Sequence, residues 1–466
     1  MISENEKRDI QLAINLLEDE NYPVSKSETE VLSENILPTY FNLLVIAYYY
    51  PPMGLSGVQR IAKFTKYLRE FGWQSTVVTV GNVGYFAYDY SLLDEVLEAE
   101  VIIEQTDTID PLKFFKRNKN KPVEMPPDRQ RRFLSKLSQV FLQPDNKIGW
   151  KKFALKRVDE LFAKQKFDAV LATAPPFTSL VIANEIQKKY GIPLVLDYRD
   201  PWLDNKNHFY ATPFHFKHAY KLESEAVLNA DAIVTVNRRI KESLMSRYSH
   251  LTHEKVHVLP SGFDPHSMKI GARFPADKPK EKFRITYSGI FDANRSPKFF
   301  FKAVMQMFQN HPETKNKVEL CFIGLLSEKY MDSAKDAGVI GALNNTGYIN
   351  HSEAVSYLFG SDALWLTIYD PIITPGKIYE YIGTRKPILV LTPTNGAMIQ
   401  VLRNYDAAYF AQPEDINSIS NAIYAMYKAW ENNELPIGNE IVSKEFDQRK
   451  LAENLSRIIS HTMNIE

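Results

Sequence analysis

The sequence has a single cysteine, Cys321, among 466 residues. One thiol forms no disulfide within a chain, which excludes the class of small disulfide-stapled domains and favours a reducing compartment. Long hydrophobic runs are also missing. The most apolar stretches, FNLLVIAYYY and DALWLTIYD, are about ten residues long, whereas a membrane-spanning helix needs about 20. We therefore expect any membrane contact to be peripheral.

Net charge is absent as well, because 56 basic residues balance 56 acidic residues. Proteins that bind nucleic acid usually have a basic excess, so the overall charge argues against a nucleic-acid partner. Residues 1–22 mix acids and bases without a continuous apolar core, so they do not resemble a secretion signal. These features predict a cytoplasmic location and leave open a peripheral contact with the inner face of the cell membrane.

The sequence is rich in apolar runs that alternate with amphipathic stretches. FNLLVIAYYY, a stretch with apolar residues at helical intervals (58–68) and QSTVVTV form one strand-helix-strand unit. Similar units follow, first up to KVHVLPSG and then, after a stretch rich in Pro, Lys and Asp (271–282), from FRITYSG to AAYFAQ. The alternation predicts an α/β fold of two doubly wound, Rossmann-like domains, the first with five or six parallel strands.

The same patterns divide the chain into four parts. We expect an acidic extension over residues 1–38, a first Rossmann-like domain over 39–265 and a second over 266–445. Residues 446–466 form a last helix in this scheme.

Residues 110–150 break the alternation with a local basic segment. Between residues 113 and 136 stand Lys113, Lys116, Arg117, Lys119, Lys121, Arg129, Arg131, Arg132 and Lys136, against two acidic residues. These cations are interleaved with aromatic and aliphatic residues, a mixture that suits an anionic membrane surface. Prolines interrupt any long helix here, so a lid over a cleft is the alternative.

Polar residues cluster where two predicted strands end. Thr173 lies in LATAPPFTS, and Asp197, Arg199, Asp200 and Trp202 lie in LVLDYRDPW. Open α/β sheets bind ligands at the carboxyl ends of their strands, so this cluster is a candidate site. The alternative is an Asp/Arg ion pair beside a Trp that packs the domain.

Three further strand-to-helix turns suit an anionic ligand. Gly57 lies in a glycine-containing turn after the first strand, and Gly289 and Arg295 lie in YSGIFDANRSP. Small residues and the amino end of a helix expose backbone N–H groups to a phosphate, and Arg295 would add positive charge. The alternatives are a turn that needs small residues and a solvated surface charge.

The third turn is TPGKIYEYIG, with Thr374 and Gly376 before a short helix that contains Lys377 and Glu380. A lysine for phosphate and a carboxylate for ribose hydroxyls fit this arrangement. A surface salt bridge between residues three apart is the alternative.

These motifs, in this order, resemble the GT-B glycosyltransferases of the GT4 type. The matching patterns are PPxGxxGxxR (51–60), ATxPPFTS (172–179), DxRDPW (197–202), SGFDP (261–265), YSGxFxxxRxP (287–297) and KxxEYxGxxKPIL (377–389). The likeness extends from about residue 41 to about residue 435, and the last helix is similar to the segment that crosses back to the first domain in this family.

The resemblance implies a nucleotide-diphosphate sugar as donor, held by the second domain, and a saccharide or lipid-linked acceptor, held by the first. It implies transfer with retention at the anomeric carbon and without a metal or other cofactor, in cell-surface polysaccharide or glycan synthesis. Donor-binding residues would be Gly57, Gly289, Arg295, Thr374, Gly376, Lys377 and Glu380. Acceptor-binding residues would be Thr173, Arg199 and Trp202, and Asp200, with Asp197 as the alternate, would stand at the reacting centre.

The sequence departs from the family pattern at two positions. Glu380 matches the second glutamate of the Glu-x7-Glu signature, but Ile372 stands where the first belongs, and Ile290 follows Gly289 where the family places an arginine. Two other classes therefore stay open. One is a nucleotide-sugar epimerase of the same fold, and the other is a catalytically silent partner protein.

Overall fold

The computed structural model describes residues 40–54, 56–81, 83–84, 87–109, 141–205, 208–291 and 295–463. The predicted extension (1–38) and most of the basic segment (110–140) lie outside the described residues. Among the described residues, no helix is both long enough and apolar enough to cross a membrane.

A seven-stranded parallel sheet forms the first domain. In chain order its elements are β1 (Phe41–Ile46), α1 (Ser56–Leu68), β2 (Trp73–Val80), α2 (Tyr90–Glu98), β3 (Ile102–Thr106), α3 (Lys151–Phe162), β4 (Ala169–Ala174), α4 (Thr178–Tyr190), β5 (Leu194–Tyr198), α5 (Pro213–Asn229), β6 (Ala232–Thr235), α6 (Arg238–Arg247) and β7 (Val256–Val258). The strand order is β3-β2-β1-β4-β5-β6-β7. The prediction of five or six strands was wrong, because β3 is a half-exposed edge strand without a continuous apolar run.

A six-stranded parallel sheet forms the second domain, in the order β10-β9-β8-β11-β12-β13. Its elements are α7 (Pro265–Arg273), β8 (Phe283–Ser288), α8 (Lys298–Asn310), β9 (Val318–Ile323), α9 (Glu328–Asp336), β10 (Leu343–Gly347), α10 (His351–Phe359), β11 (Ala363–Thr367), α11 (Lys377–Thr384), β12 (Ile388–Leu391), α12 (Ala397–Val401), β13 (Ala408–Ala411), α13 (Ile416–Glu431), α14 (Glu440–Glu445) and α15 (Gln448–Thr462). The two parallel sheets confirm the predicted fold class.

The central strands are apolar throughout because helices cover both faces of each sheet. Every residue of β4 and of β5 is buried, and β1 pairs in parallel with both β2 and β4. Parallel pairing places the carboxyl ends of all strands of a sheet at one edge. Residues that follow these ends therefore meet there.

Two segments cross between the domains, and they pair with each other. The Phe263 N–H donates to the carbonyl oxygen of Phe446 at 3.0 Å, and the Gln448 N–H donates to the carbonyl oxygen of Phe263 at 3.0 Å. A Cβ at Gly262 would collide with the Phe446 carbonyl, so this pairing requires glycine at Gly262.

After the second crossing, α15 packs on the first domain. Its apolar face, which includes Leu451, Leu455 and Ile459, belongs to the buried core around the first sheet. The Trp73 indole N–H, from β2, donates to the Ser456 hydroxyl at 3.0 Å. The last helix thus completes the core of the domain in which the chain begins.

Candidate functional site

A cavity of about 320 Å³ lies between the two domains, lined by residues that follow strand ends. From the first part of the chain it takes Gln59, Arg60, Lys63, Asp89, Ser261 and Asp264, and from the second domain Gly289, Arg295, Tyr348, His351, Gly376, Lys377 and Glu380. Of the predicted donor-binding residues, five line this cavity. A cleft at strand ends with convergent charges is the usual site of a small polar ligand in such folds.

Lys377 and Gly289 lie against each other at one wall of the cavity. The Lys377 ammonium lies over the Tyr287 ring, 3.9 Å from its centroid. Gly289 has a φ of 122°, a backbone conformation that side-chain-bearing residues rarely adopt, and a Cβ there would collide with the Lys377 ammonium. Glycine at this strand end therefore leaves the space that the lysine side chain occupies.

Glu380 forms an ion pair that the sequence reasoning missed. Its Oε1 lies 2.8 Å from Nε2 of His351, the first residue of α10. Burial alone would lower the pKa of His351, but the Glu380 carboxylate outweighs burial, and the pKa is raised. The only sequence signal was a helix start, since Asn350 caps α10 by accepting from the Glu353 N–H.

We expect replacement of His351 by glutamine to remove a pH-dependent part of the stability. The folded protein raises the pKa of His351. The ion pair therefore adds its full stability below the pKa of histidine in the unfolded chain, about 6.5, and this stability is lost as the pH rises through the pKa of His351 in the folded protein. Urea unfolding should show a wild-type advantage of about 1 kcal/mol at about pH 6 that shrinks by about pH 8.5. Replacement of the exposed His253 by glutamine is the matched control. If the difference in unfolding free energy between wild type and His351→Gln were the same at both pH values, it would contradict this prediction.

Arg295 brings the second domain close to Asp200 of the first. Asp200 follows β5 and is partly exposed. Burial raises the pKa of Asp200, while the charges of Arg199 and Arg295 oppose this rise and that of Asp370 adds to it. The predicted reacting-centre carboxylate and the predicted diphosphate-binding cation are therefore electrostatic neighbours across the interdomain cleft.

Asp197, the alternate to Asp200, is buried in an ion pair. Arg60 donates to its carboxylate from Nη2 at 2.8 Å and from Nε at 3.1 Å, and Thr173 donates from its hydroxyl at 2.8 Å. Arg60 also donates to the carbonyl oxygens of Leu259 and Pro260, at 2.9 and 2.7 Å. The carboxylate is used within the first domain, so the geometry gives Asp197 and Thr173 a structural role instead of a substrate contact.

Arg199 and Gly57 contact each other. The Arg199 guanidinium donates to the carbonyl oxygens of Gly57 and Pro175 and, at 3.4 Å, of Ala174. It therefore joins the first turn of α1 to the turn after β4. The acceptor contact of Arg199 stays a prediction beside this backbone role. Gln59 and Arg60, which follow Gly57 in the chain, are among the residues that line the cavity, and Gly57 is not.

Trp202 is fully buried and stacks on Phe177, with ring centroids 4.7 Å apart. It has no surface to offer an acceptor, so its predicted acceptor contact is also corrected. The alternative interpretation of a Trp that packs the domain describes this residue.

The segment before α11 is bound to the first domain. Asn237 donates from Nδ2 to the Ile372 carbonyl oxygen at 2.8 Å and to the Thr374 hydroxyl at 3.3 Å. Ile372 packs against the core of the first domain. The isoleucine at the position of the missing glutamate therefore makes an interdomain contact, and Thr374 is held beside the cavity.

Comparisons with known proteins agree with this geometry. Residues 57–267 match the family model described as Glycosyltransferase Family 4. No curated protein is significantly similar to the sequence.

Solved structures share the fold at low identity. A glycosyltransferase from Rickettsia africae is 14% identical, with a TM-score of 0.61 over 92% of this chain and 100% of that one. HepE of Anabaena, in complex with UDP and glucose, is 14% identical, with a TM-score of 0.61 over 91% of this chain and 100% of its own. Sucrose-phosphate synthase from Thermosynechococcus elongatus is 12% identical, with a TM-score of 0.58 over 91% of this chain and 97% of its own. The fold is GT-B.

Proposed function

We propose that this chain, whose residues 57–267 match the family model described as Glycosyltransferase Family 4, transfers a sugar from a nucleotide-diphosphate donor to a saccharide or lipid-linked acceptor. The observation that supports this most strongly is the convergence of Arg295, Lys377 and Glu380 on one interdomain cavity. Asp200 lies close enough to Arg295 for their charges to interact. The reaction needs cations for the diphosphate, a carboxylate for the ribose and a carboxylate near the acceptor, and these residues supply all three.

Each group has a place in the proposed donor complex. Arg295 and Lys377 would neutralise the diphosphate, and Gly289 would let the phosphates approach the backbone at the end of β8. The second oxygen of Glu380, not used by His351, would accept from the ribose hydroxyls. With two cations at the diphosphate, we propose transfer without a metal ion.

The proposed reaction exchanges one bond for another at the anomeric carbon. The acceptor oxygen forms a bond to the anomeric carbon, and the bond between that carbon and the diphosphate oxygen breaks. The nucleoside diphosphate then leaves with negative charge that Arg295 and Lys377 stabilise. The hydroxyl proton passes to the leaving diphosphate or to Asp200, which would orient the acceptor. We propose retention of configuration, and a role in cell-surface polysaccharide or glycan synthesis in the cytoplasm.

Because Ile372 stands where the family signature has its first glutamate, two other functions are also considered. An epimerase of this fold would convert the nucleotide-sugar without an acceptor, and a silent partner protein would not consume it. Measuring nucleotide-sugar consumption with and without acceptor separates the three. Release of nucleoside diphosphate that depends on the acceptor supports the transferase. Nucleotide-sugar consumption that is the same with and without acceptor, or no consumption, would refute it.

Glu380→Ala should weaken donor binding about 10-fold to 100-fold, because a hydrogen bond to a charged group contributes about 1.5–3 kcal/mol. Isothermal titration with the donor measures the change. Glu328→Ala, which removes an exposed carboxylate at the start of α9, is the matched control. Equal affinity of wild type and Glu380→Ala would remove Glu380 from the donor site.

A further inference from the structure

Helix α5 presents aromatic rings and lysines to solvent. Phe214 is 76% exposed, Phe216 43%, Tyr220 40% and, in the preceding loop, Phe209 39%. Lys217 and Lys221 are exposed on the same helix. These six residues form what we call the α5 aromatic face.

Large aromatic side chains are normally covered, because each buries roughly 150–250 Å² of surface when packed. Here four stand within 12 residues, Phe209 to Tyr220, on an otherwise well-packed domain. Clustered exposed rings of this kind mark an interaction surface.

The charge beside the rings identifies the partner. Residues 208–222 contain Lys217, Lys221 and three histidines and no aspartate or glutamate. Beyond this stretch, Glu223 is buried, and Glu225 lies 3.9 Å from Lys221. Lysine is depleted at the cores of protein–protein interfaces, whereas rings combined with lysines are typical of surfaces that lie on anionic lipid.

The face is joined by ring contacts to the strand end that contains Asp200. Phe216 contacts Tyr210 edge-on at 5.4 Å, Tyr210 contacts His208 at 6.1 Å, and His208 contacts Phe177 at 5.3 Å. Phe177 in turn stacks on Trp202, two residues after Asp200. A membrane beneath α5 would therefore be mechanically connected to the proposed acceptor side of the cleft.

We propose that the α5 aromatic face docks the protein on an anionic lipid bilayer. The rings enter the headgroup region and the lysines bind anionic headgroups. This surface differs from the 110–140 segment, and it does not depend on the proposed reaction, because vesicle binding needs neither donor nor acceptor.

The test is co-sedimentation of the full chain with vesicles of phosphatidylcholine alone or mixed in equal parts with phosphatidylglycerol. Two variants remove the rings (Phe214→Ser with Phe216→Ser) or the charges (Lys217→Ser with Lys221→Ser). Their side chains are exposed, so both variants should fold, which circular dichroism checks. Ile437→Ser with Ile441→Ser is the matched control, since these residues are 70% and 75% exposed at the second domain.

We expect the wild type and the control to bind the mixed vesicles, and each α5 variant to bind at least about fivefold more weakly. Binding should also fall in about 1 M salt, where the Debye length is about 3 Å.

Wild-type binding by both α5 variants, or failure of the wild type to bind mixed vesicles, would overturn the proposal. So would a stable dimer that the ring variant dissociates, because a second copy would then cover the face. Activity on a soluble acceptor should stay unchanged in both variants, which separates this result from failure of the proposed function.

Discussion

Asp200→Asn should lower the turnover number by about two to four orders of magnitude, the range that a positioned acid–base group contributes. Asparagine keeps the shape of the side chain and removes its negative charge. Asp200 is not among the residues that line the donor cavity, so donor affinity should change by less than about threefold. Initial rates at saturating donor and acceptor measure turnover, and titration calorimetry measures the affinity.

The pH dependence of the wild type provides an independent check on Asp200. Because burial raises its pKa, activity should decline on acidification at a pH above the ordinary carboxyl value of about 3.9. The variant should lack this acidic limb. Near-normal turnover in Asp200→Asn would show that the carboxylate only packs the strand end.

Asp197→Ala should instead lower the free energy of unfolding by about 3–5 kcal/mol, the usual cost of removing one partner from a buried ion pair. Arg60 would keep its bonds to Leu259 and Pro260 but leave the guanidinium without its buried anion. Urea unfolding monitored by tryptophan fluorescence measures the loss. The exposed Asp332→Ala, in α9, is the control.

Arg60→Met with Asp197→Leu distinguishes burial of charge from loss of packing. Replacing both partners by apolar groups should recover much of the stability, because no charge is then left unpaired. If the Asp197→Ala variant unfolded at the same midpoint urea concentration as the wild type, this would contradict the structural role of the pair. The two aspartates, three residues apart, thus have separable expected effects.

Periodicity predicted the fold because parallel sheets bury both faces of their central strands. Strands such as β4 and β5 appear in the sequence as continuous apolar runs, and the second sheet begins and ends in the predicted runs FRITYSG and AAYFAQ. β3 was missed because an edge strand contacts solvent and its pattern, IIEQT, includes polar residues.

Sequence motifs pointed to cavity-lining residues where the motif fixes the backbone, but not to residues whose role depends on tertiary contacts. Gly289, Arg295 and Lys377 line the cavity as their turn positions suggested. The sequence could not show which of two neighbouring aspartates is buried, because β5 ends between them and only Asp197 meets Arg60. Nor could it show His351, whose partner Glu380 is 29 residues away in the chain.

The central claim is that the interdomain cavity binds a nucleoside diphosphate through Arg295. The most direct measurement is titration calorimetry of the wild type and Arg295→Ala with UDP, GDP, ADP and their glucose conjugates. Lys298→Ala, an exposed cation three residues away, is the control. We expect at least one of these ligands to bind the wild type and the control, and to bind Arg295→Ala about 10-fold to 100-fold more weakly. Binding of none of them, or equal binding by Arg295→Ala, would contradict the account.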